Sequence, residues 1–368
     1  MTVDDSNSCE NDEQDRNDTA DGLPHRIIVI GASAGGFEAI KKIVKGLPAE
    51  IPASIFIVWH MAASVRGVLP NVLNNLNTIY AAHAFDGEEI KPNRIYVAVP
   101  DHHLIVEEGK VRVTRGPKEN RFRPAVDPLF RSAAYAYGQR VIGIILSGAL
   151  DDGTAGLWQV KHYGGVTIVQ DPADAEISSM PESAIRGVSV DYCVPVSAMA
   201  DLLVRLCKEH TPENVYPMKD QNTKIEIDIA SEKKGLERSS LTIGDLTAFT
   251  CPECHGVLSR IMDGKLFRFR CHTGHAYSPD ALMAAVTEKI EDSLYNVIRG
   301  IDESVILLNH MGDHFAEANQ LKLAALYFNK AQQAVERSNF VWKAVLTHEQ
   351  LTQEKLLQES SENGSETV

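Results

Sequence analysis

The chain has 368 residues, 44% of them hydrophobic, and a formal net charge of −14. That length accommodates one full α/β domain plus something smaller, and the acidity argues against nucleic-acid binding. No apolar run approaches the roughly 18 residues of a membrane span, and no charged-then-apolar leader opens the chain, so the sequence points to a cytoplasmic protein without membrane insertion.

Residues 1–22 hold eight acidic side chains (Asp4, Asp5, Glu10, Asp12, Glu13, Asp15, Asp18, Asp21) against Arg16 alone. With so little apolar surface to offset ordering entropy, residues 1–23 are expected to be disordered. From 24 to 208 strands and helices alternate. His25–Ile30 is a buried-type strand, Phe37–Gly46 has helical spacing, and Ala53–Trp59 is a second β-rich run ending at His60. Leu69–Leu76 looks helical. Arg94–Val99, Leu104–Glu107 and Lys110–Thr114 are short strands, the last two joined by a Gly-containing turn as a hairpin. Asp127-Pro128 reads as a helix start with Asp127 as N-cap. Val141–Leu146 and Val166–Gln170 are further strands. This alternation predicts an α/β fold, a mostly parallel doubly wound sheet with helices on both faces.

Residues 209–245 are polar and lack sustained apolar periodicity, which reads as a linker. Residues 246–278 hold three of the six cysteines. Ser278-Pro279-Asp280 opens a long helix, and a second helix over Asn319–Leu346 completes a helical hairpin within 279–354. Residues 355–368 read as a disordered tail.

The segment Gly31-Ala32-Ser33-Ala34-Gly35-Gly36 follows the first strand and opens the first helix. A dinucleotide fingerprint would need glycine where Ser33 stands and an acidic residue ending the second strand, and a P-loop would need Gly-Lys-Ser/Thr. Neither is present. Gly31 to Gly35 instead fits G-x-S-x-G, a sharp strand-to-helix turn that lifts a serine above the sheet edge. The Ala34 backbone N–H, at the helix N-terminus, is then placed to stabilise an oxyanion.

A serine hydroxyl needs a base, and the base needs an orienting group. His60 follows the second strand and Asp152 lies in SGALDDG just past the Val141–Leu146 strand, so all three residues leave strands at the carboxyl edge, where open α/β sheets build their sites. Singly, a histidine after a strand is more often packing and Asp-Asp-Gly more often a turn. The coincidence of all three favours catalysis.

Residues 26 to about 207 resemble the catalytic domain of the CheB family of chemoreceptor methylesterases. The resemblance is carried by IGASAGGFEAI, the strand ending WHM, GPKENRFRPAVDPLFRSAA, SGALDDGTAG and MPESAI, in that order. It implies a catalytic triad of Ser33, His60 and Asp152, and a serine-type protein-glutamate methylesterase acting on glutamate γ-methyl esters, with glutamine deamidation at the same sites. Two departures stand out: Asp151 where the family has asparagine, and Ala149 for the methionine of a Gly-Met-Gly turn, whose backbone N–H would be the second oxyanion donor. The implied partners are a methyl-accepting chemoreceptor or receptor-like signalling protein and a methyltransferase of the same pathway. Arg121, Arg123 and Arg131 could face acidic receptor helices, or equally pair with local carboxylates. The family's usual N-terminal receiver domain has no room in the 23 residues before the first strand, so activation through an attached receiver is not expected within this chain.

No cofactor is expected for catalysis. Cys251-Pro-Glu-Cys254 and Cys271-His-Thr-Gly-His275 flank a β-like stretch. Two close pairs of thiolate and imidazole ligands suit a tetrahedral structural zinc site at Cys251, Cys254, Cys271 and His275, with His255 and His272 as alternative fourth ligands. The region resembles the zinc-ribbon-like and helical tail of receiver-less CheB-like proteins. A competing reading is a non-catalytic signalling or scaffold protein that keeps the fold and binds partners through its C-terminal module. A third is a hydrolase for another ester or amide.

Overall fold

A computed structural model describes residues 25–60, 68–209, 219–232, 243–352 and 355–356. The acidic N-terminal segment, parts of the expected linker and almost all of the C-terminal tail lie outside the described residues. The chain divides into two compact units, Met1–Cys251 with Gly256–Ser278, and Pro252–His255 with Pro279–Val368.

In the first unit β1 (Arg26–Ala32) leads into α1 (Gly36–Gly46), followed by β2 (Ala53–Trp59) and α2 (Val68–Asn74). Four short strands come next: β3 (Tyr80–His83), β4 (Arg94–Val97), β5 (His103–Glu107) and β6 (Lys110–Thr114). Then follow α3 (Val126–Tyr137), β7 (Val141–Ile145), α4 (Thr154–His162), β8 (Val166–Gln170), α5 (Ser179–Gly187), β9 (Tyr192–Val194) and α6 (Val196–Lys208). The unit closes with α7 (Gln221–Ala230) and β10 (Asp245–Thr250), β11 (Val257–Asp263), β12 (Leu266–Cys271) and β13 (Ala276–Tyr277). The second unit holds α8 (Pro279–Glu317) and α9 (Leu321–Leu346), which pack against each other. Among the described residues no helix is long and apolar enough to cross a membrane.

Seven strands form one sheet in the order β3-β4-β2-β1-β7-β8-β9, every neighbouring pair parallel. Parallel strands covered on both faces need apolar side chains on both, and β1 is buried along its whole length. Its alternation sorts side chains between two cores. Ile28 and Ile30 join Ile40, Ile43 and Leu203 of α1 and α6, and Ile27 and Val29 join Leu129, Phe130 and Leu157 of α3 and α4. Each such residue contributes about 1.5–3 kcal/mol on full burial. Strand order reverses at β1, between β2 and β7, and the crevice this opens at the carboxyl ends is where the site residues gather.

The region read as a linker contains a helix. In α7, Asp220 is the N-cap, accepting from the Thr223 N–H at 2.9 Å, and Ile227 and Ala230 pack with Ile105 of β5 and Tyr135 of α3. The periodicity was hidden because part of the buried face is charged: Glu226 is as buried as the leucines.

The ribbon is likewise not separate from the esterase fold. Its four strands form one antiparallel sheet, and within the first unit a buried ion network of matched charge ties it to Glu119, to Arg131 of α3 and to Glu226 of α7. Glu119, Glu226 and Asp263 face Arg131, Arg268 and Arg270. Arg270 Nη2 lies 2.8 Å from Glu119 Oε1 and 2.9 Å from Glu226 Oε1. Arg131 Nη2 lies 3.0 Å from Glu119 Oε2, and Arg268 pairs with both Glu226 and Asp263. Removing charges from water is costly and is offset only when each is matched in this way. Although burial opposes its ionisation, Arg131 and Arg270 hold the Glu119 carboxyl down at about 2.

Candidate active site

The β1–β2 register pairs Ala32 with Trp59, so the next residues along the two strands are Ser33 and His60. The His60 N–H donates to the Ala32 carbonyl at 3.0 Å, extending the ladder to the site. On the other side of β1 the Ser33 N–H donates to the Ser147 carbonyl at 3.0 Å. Trp59 Nε1 donates to the Ser33 carbonyl at 3.0 Å, fixing the turn.

The glycines of this turn answer to close approaches. Gly35 sits at φ +75°, a left-handed conformation that favours glycine, and a Cβ there would come within 2.6 Å of Ser147 Oγ. A Cβ on Gly148 would meet Met180 Sδ at 2.1 Å and Ser33 Cβ at 2.7 Å, so the 147–149 turn can lie against the serine only because residue 148 has no side chain. Ser147 Oγ ties the two turns together, donating to the Ala34 carbonyl at 2.8 Å. These contacts hold the Gly148 backbone against Ser33 and tie the Ala34 carbonyl to the 147–149 turn.

Asp152 is 2% exposed and accepts from four N–H groups. Oδ2 lies 2.8 Å from His60 Nε2 and 2.7 Å from the Val126 N–H. Oδ1 accepts from Asn120 Nδ2 at 2.7 Å and from the Asp127 N–H at 3.4 Å. The two backbone donors are the first amides of α3, so a carboxylate from the β7–α4 loop occupies that helix N-terminus. This corrects the helix start expected at Asp127. The helix begins at Val126 with no side-chain cap from its own flanking residue. The Asp127 side chain turns inward and accepts from the Gly156 N–H and from Asn120 Nδ2. Burial, then the charge of Asp152, push Asp127 up to about 7. Asn120 thus bridges two carboxyl groups, one of which favours its neutral form.

His60 is stacked on Phe122, ring centroids 4.0 Å apart. Its Nε2 is committed to Asp152, and its Nδ1 is buried with no hydrogen-bond partner among the described residues. A neutral imidazole held through Nε2–H presents a lone pair at Nδ1, the arrangement of a base awaiting a proton. Nδ1 therefore makes no hydrogen bond to Ser33, a contact of the kind that commonly tightens only in a substrate complex.

The three candidate arginines fare differently. Arg131 does not face a partner: it is 1% exposed and locked to Glu119 and Glu226, because α3 turns it into the ion network. Arg123 pairs with Asp101 at 2.7 Å and donates to the Gly116 carbonyl, the local-carboxylate alternative. Arg121 is half-buried with φ 74°. Asp151 interacts with Ser278 of the ribbon, Oγ to Oδ1 at 2.5 Å. Nothing in the sequence marks Asn120 or Phe122 as site residues, and Asp127 reads there only as a helix cap, although all three lie in the run that carried the resemblance.

The ligand atoms of Cys251, Cys254, Cys271 and His275 all lie within 4.8 Å of one another. Cys251 Sγ and Cys271 Sγ each lie 3.7 Å from His275 Nδ1. Tetrahedral zinc, with bonds of about 2.3 Å to sulfur and about 2.0 Å to nitrogen, requires an S···N separation of about 3.6 Å, so these donors fit the metal. Of the alternative ligands, His255 is exposed, and the exposed His272 ring lies over Gly256.

The sequence profile of the CheB methylesterase family matches residues 28–203. A Leptospira interrogans protein is 42% identical over 185 residues, which are 50% of this chain and 96% of that protein; its name gives protein-glutamate methylesterase/protein-glutamine glutaminase activity provisionally. An Anaeromyxobacter dehalogenans protein named for the same activity is 36% identical over 197 residues, 52% of this chain and 54% of that one. The crystal structure of the Thermotoga maritima CheB methylesterase catalytic domain is matched over 100% of its length and 50% of this chain, at 36% identity and a TM-score of 0.48.

Proposed function

The chain belongs to the CheB methylesterase family of carboxylic ester hydrolases, and from that premise we propose that it hydrolyses glutamate γ-methyl esters on a chemoreceptor-like signalling protein through Ser33, His60 and Asp152. The observation that carries this reading is the His60–Asp152 pair, joined at Nε2 with Nδ1 unpartnered, at the position the strand register sets opposite Ser33.

Ser33 Oγ attacks the ester carbonyl while His60 Nδ1 accepts its proton. The oxyanion that forms is met by the Ala34 and Ala149 N–H groups, and such a donor is worth about 3–4 kcal/mol. Asp152 balances the imidazolium. His60 then returns the proton to the leaving methoxide, releasing methanol and leaving an acyl-enzyme. Water, deprotonated by His60, attacks that ester, and glutamate and Ser33 are regenerated. Glutamine at the same position would lose ammonia by the same sequence of steps, which is the second activity in the names of the relatives. In the ribbon, Cys251, Cys254, Cys271 and His275 would hold a structural zinc ion, whose four bonds stabilise a small sheet with little core.

Mass spectrometry of methylated receptor peptides tests the reading. The protein should remove the methyl group from glutamate γ-methyl ester and leave other esters largely untouched. Preferential hydrolysis of unrelated small esters would instead make it a hydrolase of different specificity.

A further inference from the structure

Asn120 occupies an unusual position between the catalytic carboxylate and the ribbon. Its side-chain amide donates to Asp152 Oδ1 at 2.7 Å and to Asp127 Oδ2 at 2.8 Å. Every other polar group of Asn120 with a described bond is held by β13 or the residue after it. The Asn120 N–H donates to the Ala276 carbonyl at 2.8 Å, and Asn120 Oδ1 accepts from the Ser278 N–H at 2.8 Å. The Ala276 N–H donates to the Lys118 carbonyl at 3.2 Å, completing a strand-like pairing of 118–120 with β13. Ala276 directly follows His275, whose carbonyl accepts from the Cys271 N–H at 3.0 Å. On the flank, Arg270 donates to the Gly274 carbonyl at 2.7 Å and reaches Glu119, the residue before Asn120.

We infer that Asn120 is a positioning residue for ester hydrolysis, and that the metal-binding ribbon is an integral part of the catalytic centre because it fixes Asn120 against Asp152. An asparagine amide can rotate freely about its last bond. Here its oxygen is committed to the Ser278 N–H, so its nitrogen must face the two carboxyl groups. Asp152 in turn sets the angle of His60, and misplacing a catalytic group by about 1 Å costs on the order of 100-fold in rate. The chain of contacts runs from the ligand His275 to Ala276, to Asn120, to Asp152, to His60, without a gap. Loss of the metal would leave the Cys271–His275 turn, from which β13 emerges, closed by its backbone hydrogen bonds alone, and would loosen the strand that orients Asn120.

This inference rests on the triad proposed above, so the experiment separates the two. The full chain is prepared zinc-loaded, stripped with a chelator and reloaded with zinc, and as the Asn120→Ala and Ser33→Ala variants. Three quantities are followed: ester hydrolysis, the rate at which a fluorophosphonate labels Ser33, and amide hydrogen exchange in 118–122 and in β1. Asn120→Ala should lower kcat and the labelling rate about 10- to 100-fold and change KM by less than about threefold, the pattern of disturbed alignment and not of lost binding. Stripping should accelerate exchange in 118–122, leave β1 protected, and slow labelling by a similar factor, with zinc restoring both. If Ser33→Ala retains labelling and hydrolysis, the proposed triad fails. If Ser33→Ala is inactive but Asn120→Ala keeps kcat within twofold, the positioning role is overturned. If stripped protein keeps its exchange in 118–122 and its labelling rate within twofold, the link to the ribbon is overturned.

Discussion

Glu119→Gln puts the ion network to a quantitative test. Glu119 is 1% exposed and shared between Arg131 and Arg270, which are themselves buried. The amide keeps the shape and one acceptor oxygen but removes the charge, leaving three guanidinium groups facing two carboxylates. Breaking one partner of a buried network costs about 3–5 kcal/mol. The carboxyl supplies a second route to the same quantity: it is held at about 2 against an ordinary 4.5, which corresponds to about 3 kcal/mol of stabilisation at neutral pH. This contribution is fully present above pH about 4.5 and is lost as pH falls through about 2. Urea unfolding of the full chain and of Glu119→Gln, each measured from pH 7 to pH 2.5, should give a gap of about 3 kcal/mol at neutrality that narrows on acidification. A gap below about 1 kcal/mol at pH 7, or one that stays constant with pH, would contradict the claim that matched buried charge holds the ribbon to α3 and α7.

Further outcomes follow from the same geometry. Gly148→Ala would set a methyl group into Met180 and Ser33 Cβ, so a stability loss of about 1–3 kcal/mol should accompany a fall in kcat, and unchanged kinetics would mean that the 147–149 turn does not support the serine. Asp127 is pushed up to about 7 from 3.8, so its contribution is fully present below pH about 4 and is lost as pH rises through about 7. The stability of wild type relative to Asp127→Asn should therefore decline from pH 5 to pH 8, and a rise over that window would reverse the assignment. Asp152→Asn should reduce hydrolysis by several orders of magnitude, as its nitrogen would turn a donor toward His60 or the α3 amides, and near-normal turnover would exclude Asp152 from the triad.

Much of the fold was legible because its signals are local. The runs IIVI, SIFIVW and VIGIIL announce buried parallel strands, and the glycine-flanked Ser33 announces a sharp turn. Strands β3 and β9 escaped because YAAH and YCV are too short to carry a period. The candidate triad was readable because each member follows a strand at the same edge. Its support was not. Asn120, Asp127 and Glu119 act through partners far along the chain, such as Ser278 and Arg270, and no local pattern encodes such pairings. The same blindness made α7 a linker, since Glu226 looks solvated until Arg131, Arg268 and Arg270 arrive from α3 and β12. Charge in an apparently polar stretch says nothing of burial until its counter-charges are placed.

The most direct trial of Ser33 as the nucleophile is methanol released from a fully methylated receptor, compared between wild type and Ser33→Ala at equal concentration. Methanol should accumulate with wild type and stay at the enzyme-free background with the variant. Equal release from both proteins would show that the serine at the end of β1 is not where the ester is cleaved.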